Sequence, residues 1–333
     1  MHPARLLLDT LRFGEAPPAE RLAAAWAEAD VRGLARLVTF EGCAIWLHRR
    51  LRQIAALQRV DPVFGAWVVG EARDQTARNL LIEAEAQTVA EIFHGLNVPH
   101  VFMKGVARRL TADRYPFADA RVTSDVDVLV PADHAREAWH GLRRAGYERT
   151  RPTAPPRPQH HHLSALWSER SVAIEVHISN ARRVPPAEAW RRHYEAGVDV
   201  ERGGVRFRVP PATELFWSGM AHGLLAPDVA FFLVLLLDAA VIWASDALVD
   251  WPEIRRRLDT GEIVDRTAAA AWLGAAAALS GVEPPTALEG RIAPFDLERA
   301  LRLRLAVFRR VQPPYGLRKA LAWWSSERAR GAP

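Results

Sequence analysis

The chain has 333 residues, of which 49% are hydrophobic and 25% are charged, so a disordered chain is not expected and there is room for one large core or a few smaller ones. The formal net charge of +5 is small for this length and suits phosphate-bearing ligands without requiring nucleic acid. Cys43 is the only cysteine, which excludes an intramolecular disulfide and a thiolate-rich metal site and leads us to expect a cytoplasmic protein.

Residues 1–94 are predicted to form an N-terminal helical region. From Ala19 to His94, apolar residues recur three and four positions apart among Ala, Glu and Arg, which is the spacing of amphipathic helices. Gly95 is predicted to end the last of these helices, and residues 97–99 to form a turn. The apolar run near the N-terminus is only three leucines followed by an aspartate, which is too short for a signal-peptide core.

Residues 95–210 are predicted to contain strands as well as helices. Strands are predicted where apolar residues alternate with polar ones between turn formers, at 100–105, 124–131, 171–179 and 203–210. Helices are predicted from amphipathic spacing at 105–112 and 132–147, with a short helical insert around 185–197. Gly146 is the expected C-terminal cap of the second helix. The four prolines of 151–159 predict a loop, which is a candidate substrate-covering segment.

Residues 211–333 are predicted to form a C-terminal helical region. Its most apolar stretch, 229–244, is shorter than the roughly 20 residues of a membrane span and carries Asp238 at its middle, so we interpret it as a buried core helix. A membrane-associated helix is the alternative. If buried, Asp238 needs a partner and can hold the C-terminal helices to the sheet. Helices followed by strands and then helices again predict an α+β fold.

Asp125 and Asp127 are the first candidate site residues. Side chains alternate along a strand, so the two aspartates share one face while Ser124, Val126 and Val128 share the other. Two carboxylates with Cα atoms about 7 Å apart can converge on one or two divalent cations, and without a cation their charges repel. The alternative interpretation is a half-exposed strand whose outer face is acidic.

The strand at 171–179 supplies a third carboxylate. Its apolar residues face one way and leave Glu175 and His177 together on the opposite face. Three carboxylates from two strands match what a two-metal phosphoryl-transfer site needs, and hard oxygen ligands favour Mg²⁺. A surface ion pair with an arginine is the alternative interpretation of Glu175.

The order of these motifs resembles the uncharacterised nucleotidyltransferase family, whose distant relatives include DNA polymerase beta and the antibiotic nucleotidyltransferases. The resemblance covers most of residues 90–260 and extends into the helices that follow the sheet. It rests on the following residues in chain order: Phe102-Met103-Lys104-Gly105, Arg121, Ser124 to Val130, a histidine of 160–162, Ile174-Glu175-Val176-His177, 211–222, 236–239 and Asp250-Trp251.

The resemblance implies a small mixed β-sheet with flanking helices, in which Asp125, Asp127 and Glu175 are catalytic and bind Mg²⁺. It also implies an NTP substrate, which we expect to be ATP. Where the wider superfamily has Gly-Ser, this chain has Lys104-Gly105, so the hydroxyl that touches the terminal phosphates in that superfamily is missing. Gly105 and the following helix N-terminus would allow close approach of a phosphate, and Lys104 would supply a positive charge.

The remaining nucleotide-binding candidates are Arg121, Ser124, His162 and His177. Arg121 can pair with a phosphate bidentately or neutralise the acidic cluster. The histidines of 160–162 do not predict a metal site, because neighbouring side chains on an extended chain point apart, and we expect one of them to face the site. His177 can bind a phosphate, orient a carboxylate or be purely structural.

These observations predict a magnesium-dependent enzyme that transfers a nucleoside monophosphate from an NTP to an acceptor and releases pyrophosphate. Glu175 is expected on the acceptor side, as a metal ligand or general base. The resemblance implies a peptide or small-molecule acceptor. The short, charged apolar stretch at 229–244 leads us to expect no membrane partner, and we do not expect a nucleic acid partner. One alternative is a non-catalytic nucleotide-binding module. Another is a nucleic-acid-modifying nucleotidyltransferase, suggested by the arginines of 301–330, although their helical spacing is more typical of a solvated helix face.

Overall fold

The computed structural model describes residues 1–13, 17–111, 115, 117–148, 161–180, 184–225, 232–245, 249–263 and 265–308. Within these residues there are thirteen α-helices, a four-stranded sheet and a two-stranded sheet. The fold is therefore mixed α/β with helices before and after the sheet, and the predicted fold class is confirmed.

Five helices form the N-terminal part: α1 (Pro3–Leu11), α2 (Ala19–Ala27), α3 (Val31–Glu41), α4 (Ala44–Gln53) and α5 (Pro62–Gly95). The Asp61 side chain caps α5 by accepting a hydrogen bond from the Phe64 amide at 2.9 Å, which satisfies one of the amides that a helix start leaves free. The helix ends at Gly95, as predicted. The helices α2 to α5 confirm the predicted helical span, and α1 lies outside it.

The central sheet has the strand order β1-β2-β4-β3, where the strands are β1 (Val101–Phe102), β2 (Asp125–Leu129), β3 (Leu166–Trp167) and β4 (Ala173–His177). The pair β2 and β4 is parallel and the two outer pairs are antiparallel, so the sheet is mixed, as expected. The helix α6 (Lys104–Leu110) follows β1, and α7 (Ala135–Arg144) follows β2. Gly146 follows α7 with φ of 96°, a conformation that favours glycine at a helix end.

The strand predicted at 203–210 lies outside the central sheet. It forms β6 (Val205–Val209), which pairs with β5 (Val198–Arg202) in an antiparallel hairpin. The turn of this hairpin, Gly203-Gly204, has φ of 59° and 79°, which two-residue hairpin turns require. The strand β5 was not predicted from the sequence; it begins shortly after the short helix α8 (Pro186–Trp190) and a π-helical turn (Arg191–Glu195).

Five helices form the C-terminal part: α9 (Ala212–Leu225), α10 (Phe232–Ala244), α11 (Trp251–Thr260), α12 (Arg266–Ser280) and α13 (Leu297–Phe308). The helix α10 packs against α9 and α12, and every side chain from 233 to 243 is buried. The predicted buried core helix is therefore confirmed. In the described part of the chain, no helix has both the length and the apolar character that crossing a membrane requires.

The apolar face of the β2–β4 pair lies in the core. Val126, Val128, Ile174 and Val176 are fully buried there, and α5 and α7 contact these two strands. Each such side chain contributes roughly 1.5–3 kcal/mol when it is removed from water. Because these residues occupy every second position, the opposite face is left to the polar residues of both strands.

The first and last described helices contact each other. Glu41 of α3 is fully buried, and its carboxylate accepts a hydrogen bond from the Leu233 amide at 2.8 Å and lies 2.7 Å from Arg304 Nε of α13. Burial raises the pKa of Glu41, and Arg304 opposes that shift. Arg5 of α1 lies 3.8 Å from Glu298 of α13. The division into regions 1–94, 95–210 and 211–333 stays a prediction, and one continuous apolar core runs through all three.

His100 gives the fold a pH-dependent contribution to stability. Its side chain is buried among the rings of Phe93, His94 and Phe102, and its Nδ1 lies 2.9 Å from the carbonyl oxygen of Val98. Burial lowers the pKa of His100 from 6.5 to about 4. Between those two values the unfolded chain binds a proton that the folded chain does not, so stability falls as the pH decreases through this window.

We predict that lowering the pH from 7 to 5 reduces the free energy of unfolding of His100→Gln by about 2 kcal/mol less than that of the wild type. Glutamine keeps a donor for the Val98 carbonyl oxygen but does not titrate. Urea unfolding at the two pH values measures this difference. The control is His140→Gln, at an exposed position, which should follow the wild type. Equal losses in His100→Gln and the wild type would show that His100 does not carry this dependence.

Candidate active site

Asp127 and Glu175 lie side by side on the polar face of the central sheet. The register of the parallel strands β2 and β4 places Asp127 opposite Glu175, and Asp125 opposite Ala173. Paired residues on adjacent strands project to the same face, so all three carboxylates share it. The shared face that the sequence predicted is therefore confirmed.

His177 connects two of these carboxylates. Its ring is fully buried, and its Nε2 lies 2.7 Å from Asp127 Oδ1 and 3.4 Å from Glu175 Oε2. One possible ligand atom from each of Asp127, Glu175 and His177 lies within 4.8 Å of the others, a grouping that could hold a metal ion. Asp125 stands outside this group, which differs from the predicted set of three carboxylates. Of the roles considered for His177, its contacts match the orientation of carboxylates.

Lys104 places a cation on the same carboxylate. Its Nζ lies 2.6 Å from Asp127 Oδ1, in a salt bridge that is almost fully enclosed on the aspartate side. The backbone of Lys104 has φ of 49°, a left-handed conformation that costs a residue with a side chain roughly 1–2 kcal/mol. Strain of this kind persists where the surrounding structure holds it, and it is common at functional sites. The positive charge predicted at Lys104 thus forms an ion pair with Asp127.

The closely spaced charges shift the pKa of every group in the cluster. Burial acts to raise the pKa of Asp127, but Lys104 and His177 hold it well below its usual range. Burial acts to lower the pKa of Lys104 and His177, and their carboxylate partners raise the pKa of both above the usual values. The hydrogen bond from His177 lowers the pKa of Glu175. Burial, followed by the charge of Asp127, raises the pKa of Asp125 to about 6, so Asp125 is the least compensated carboxylate.

Ser124 does not follow the alternation that was predicted for it. The strand β2 begins at Asp125, and Ser124 is exposed with its hydroxyl donating to Asp125 Oδ1 at 3.1 Å. The prediction that Ser124 faces away from the aspartates is therefore wrong, because strand alternation does not extend to a residue that precedes the strand.

The segment that leads into β2 is held by α5 and α6. Asn79, fully buried in α5, donates to the Arg121 carbonyl oxygen at 3.0 Å and accepts from the Thr123 amide at 3.1 Å. Gly105 of α6 packs so closely on this segment that a Cβ there would clash with the Thr123 hydroxyl. Glycine at 105 thus has a steric reason, in addition to the ligand approach that the sequence suggested.

The structure describes two of the three consecutive histidines. The ring centroids of His161 and His162 lie 5.4 and 5.2 Å from that of His177, and burial lowers the pKa of His161 to about 4. The chain bends at His161, and both rings approach His177. The expectation that one of the histidines faces the site stays a prediction. His160 and the candidate lid at 151–159 lie outside the described residues.

A cavity of about 230 Å³ extends from the carboxylates toward the C-terminal helices. Lys104, Asp125 and Asp127 line it on the sheet side, and Asp238 of α10 lines it on the helical side. Arg121 also lines this cavity, and its Nε lies 2.7 Å from Asp238 Oδ2. The ion-pair partner of Arg121 is thus Asp238 rather than the acidic cluster, and the prediction that a buried Asp238 has a partner is confirmed.

Arg108, which was not predicted as a site residue, lines the same cavity. Arg108 lies four residues after Lys104 on α6, so the period of the helix places both side chains on one face, and this spacing was the available signal. Glu214 of α9 was missed as well. It forms a buried ion pair with Arg257, which leaves that wall of the cavity neutral.

Carboxylates on adjacent strands beside a cavity with basic side chains are the groups that nucleotidyl transfer requires. A protein-family model identifies the chain more specifically than the site does. The model of the family described as uncharacterised nucleotidyltransferase matches residues 27–277, and the chain belongs to this family. The resemblance drawn from the sequence motifs is therefore confirmed.

Among solved structures, the chain is similar to an antigenic nucleotidyltransferase-like protein from Paracoccidioides brasiliensis. The two share 14% sequence identity over 48% of this chain and 74% of the other, with a TM-score of 0.34. No curated protein matches the chain.

We predict that Gly105→Ala lowers the free energy of unfolding by about 1–3 kcal/mol, because the added methyl group displaces Thr123 and the start of β2. Adding Thr123→Ala should restore part of this loss. It removes the clashing hydroxyl, which has no hydrogen-bond partner within the described residues. Urea unfolding of both variants measures the effect. Gly70→Ala, where a Cβ in α5 meets nothing within 4 Å, is the control and should not destabilise the protein. A double variant as unstable as Gly105→Ala would contradict the steric explanation.

Proposed function

We propose that this protein transfers a nucleoside monophosphate from an NTP to an acceptor and releases pyrophosphate. The observation that carries the proposal is the pairing of Asp127 with Glu175 on adjacent strands, next to a cavity that Asp127 lines together with Lys104 and Arg121. Carboxylates hold divalent cations and basic side chains hold phosphates, so both requirements of nucleotidyl transfer meet in one place.

The donor atoms of the carboxylate cluster fit magnesium. Asp125, Asp127 and Glu175 offer hard carboxylate oxygens from one face of the sheet, which is the ligand type that Mg²⁺ prefers. When bound, Mg²⁺ would neutralise charge on the phosphates and activate the acceptor hydroxyl. A nitrogen ligand suits softer metals, and His177 Nε2 already contacts two of the carboxylates. We therefore assign His177 the positioning of those carboxylates rather than magnesium binding.

The remaining residues have roles that follow from their places. Asp125 and Asp127 are the proposed metal ligands that border the cavity, and Glu175 is a ligand or the base that takes the acceptor proton. Lys104 contacts Asp127 and also lines the cavity, so its ammonium group can neutralise either a carboxylate or a phosphate. Ser124 lines the cavity and donates a hydrogen bond to Asp125, and it stays a nucleotide-binding candidate.

The proposal extends to the substrates and the setting. We propose ATP as the NTP and a peptide or small molecule as the acceptor, in line with the family resemblance. A cytoplasmic setting supplies both NTP and magnesium and suits a chain whose one cysteine is buried. The arginines of α13 support a structural role rather than nucleic-acid binding, because Arg302 pairs with Glu298 and Arg304 with the buried Glu41.

We predict that ATP with Mg²⁺ stabilises the wild type against thermal unfolding and does not stabilise a variant with both Asp125→Asn and Asp127→Asn. At a ligand concentration of 100 times Kd the expected stabilisation is about 2.7 kcal/mol. Asp133→Asn, at an exposed position beyond β2, is the matched control and should respond as the wild type does. A wild type that responds to no NTP, or a response that survives the double substitution, would sink the proposed function.

We also predict that Lys104→Met lowers the unfolding free energy by about 1–3 kcal/mol in the absence of divalent cations, because Asp127 then loses its nearest positive charge. Mg²⁺ should restore this stability and shift the melting temperature more in Lys104→Met than in the wild type. Thermal unfolding in a magnesium titration measures both effects. If Mg²⁺ stabilises the two proteins equally, Lys104 and a bound cation do not compete for Asp127.

A further inference from the structure

The helical side of the cavity holds a second charged cluster, separate from the carboxylates of the sheet. Arg108 of α6, Arg121 before β2 and Asp238 of α10 all line the cavity. Arg121 Nε lies 2.7 Å from Asp238 Oδ2, and Arg108 Nε lies 3.8 Å from Asp238 Oδ1. Two guanidinium groups thus share one carboxylate, which leaves this cluster with a surplus of positive charge.

Arg108 is the least satisfied member of the cluster. Only 3% of the residue is exposed, yet none of its three guanidinium nitrogens has a hydrogen-bond partner within the described residues. The ring of Tyr115 lies against the guanidinium, with its centroid 4.4 Å from the central carbon, and limits how the group can turn. An arginine side chain stays protonated, and buried donors without acceptors are costly. The N–H groups of Arg108 are therefore available to donate hydrogen bonds to a ligand that enters the cavity.

The positions of Arg108 and Lys104 indicate the length of a ligand that could accept hydrogen bonds from both. The two residues are one helical turn apart on α6 and line the same cavity. A ligand that meets the carboxylates and Lys104 at one end can therefore extend along this face to Arg108. Phosphate groups carry several acceptor oxygens each, and the planar fork of a guanidinium matches them bidentately.

We propose that Arg108, together with Arg121, binds the pyrophosphate part of the NTP, an inference that rests on the proposed nucleotidyl transfer. In that reaction an acceptor oxygen bonds to the α-phosphorus while the bond from that phosphorus to the bridging oxygen breaks. The electron pair leaves with pyrophosphate, and the acceptor proton passes to a base. Negative charge thus grows on pyrophosphate, and donors without another partner stabilise it without first giving up a hydrogen bond.

Asp238 is the internal competitor of this anion site. It is 6% exposed and holds Arg121 directly and Arg108 at longer range, so it keeps both arginines in place when no phosphate is bound. A bound pyrophosphate group would have to share them with this carboxylate. A variant without the charge of Asp238 should therefore bind phosphate groups at least as tightly as the wild type. A variant with fewer hydrogen bonds from residue 108 should bind them more weakly.

The test is calorimetric binding of inorganic tripolyphosphate, ATP and AMP to the full chain in the presence of Mg²⁺. Arg108→Lys keeps the charge but loses the planar fork, so tripolyphosphate and ATP should bind about 10- to 100-fold more weakly while AMP binding is unchanged. Asp238→Asn should bind tripolyphosphate as tightly as the wild type or more tightly. The matched control is Arg136→Lys, at an exposed position on α7, because Arg136 does not line the cavity. Thermal unfolding checks that each variant is folded.

The outcomes separate this inference from the proposed function. Unchanged binding of ATP and tripolyphosphate by Arg108→Lys would overturn the inference, while magnesium-dependent ATP binding by the wild type would leave the proposed function standing. An equal loss of AMP binding would also overturn the inference, because AMP has no pyrophosphate. A wild type that binds tripolyphosphate through Arg108 but does not bind ATP would keep the anion site and overturn nucleotide binding.

Discussion

The parallel pairing of β2 with β4 is the constraint on which the site depends. One face of this pair is buried in the core through Val126, Val128, Ile174 and Val176, and a slip of one residue would turn those side chains out and the carboxylates in. Hydrophobic packing therefore fixes the register, and the register in turn sets Asp127 beside Glu175. The geometry of the polar face is thus decided by the residues of the opposite face, which have no chemical role.

The cavity has ends of opposite charge. At the sheet end, three carboxylates exceed the compensation that Lys104 and His177 provide, and at the helical end two arginines exceed what Asp238 provides. A cation bound to a chain of phosphates is complementary to this distribution. The cation would neutralise the surplus negative charge at the sheet end, and the phosphates would neutralise the surplus positive charge at the helical end. The side chain of Asn79 donates a hydrogen bond to the Arg121 carbonyl oxygen and accepts one from the Thr123 amide, which holds the segment that joins the two ends.

The strands and the carboxylates could be predicted from the sequence because strand alternation is local and strict. Asp125, Asp127 and Glu175 stand at positions whose neighbours are apolar, so their face could be assigned without a structure. The salt bridge from Lys104 to Asp127 could not be predicted, since it joins residues 23 apart through an unusual backbone conformation. The approach of both His161 and His162 to His177 depends on a bend at His161 that no residue pattern announces.

The contact between α1 and α13 has a consequence for the order in which the protein can fold. The pair Arg5–Glu298 and the buried Glu41–Arg304 bridge join an early segment of the chain to a late one. A ribosome makes the chain from its N-terminal end, so α1 and α3 emerge long before their partners in α13 exist. Until α13 has been made, Glu41 cannot form its buried ion pair with Arg304. The contacts of α1 and α3 with α13 are therefore completed only after α13 has been made, late in synthesis.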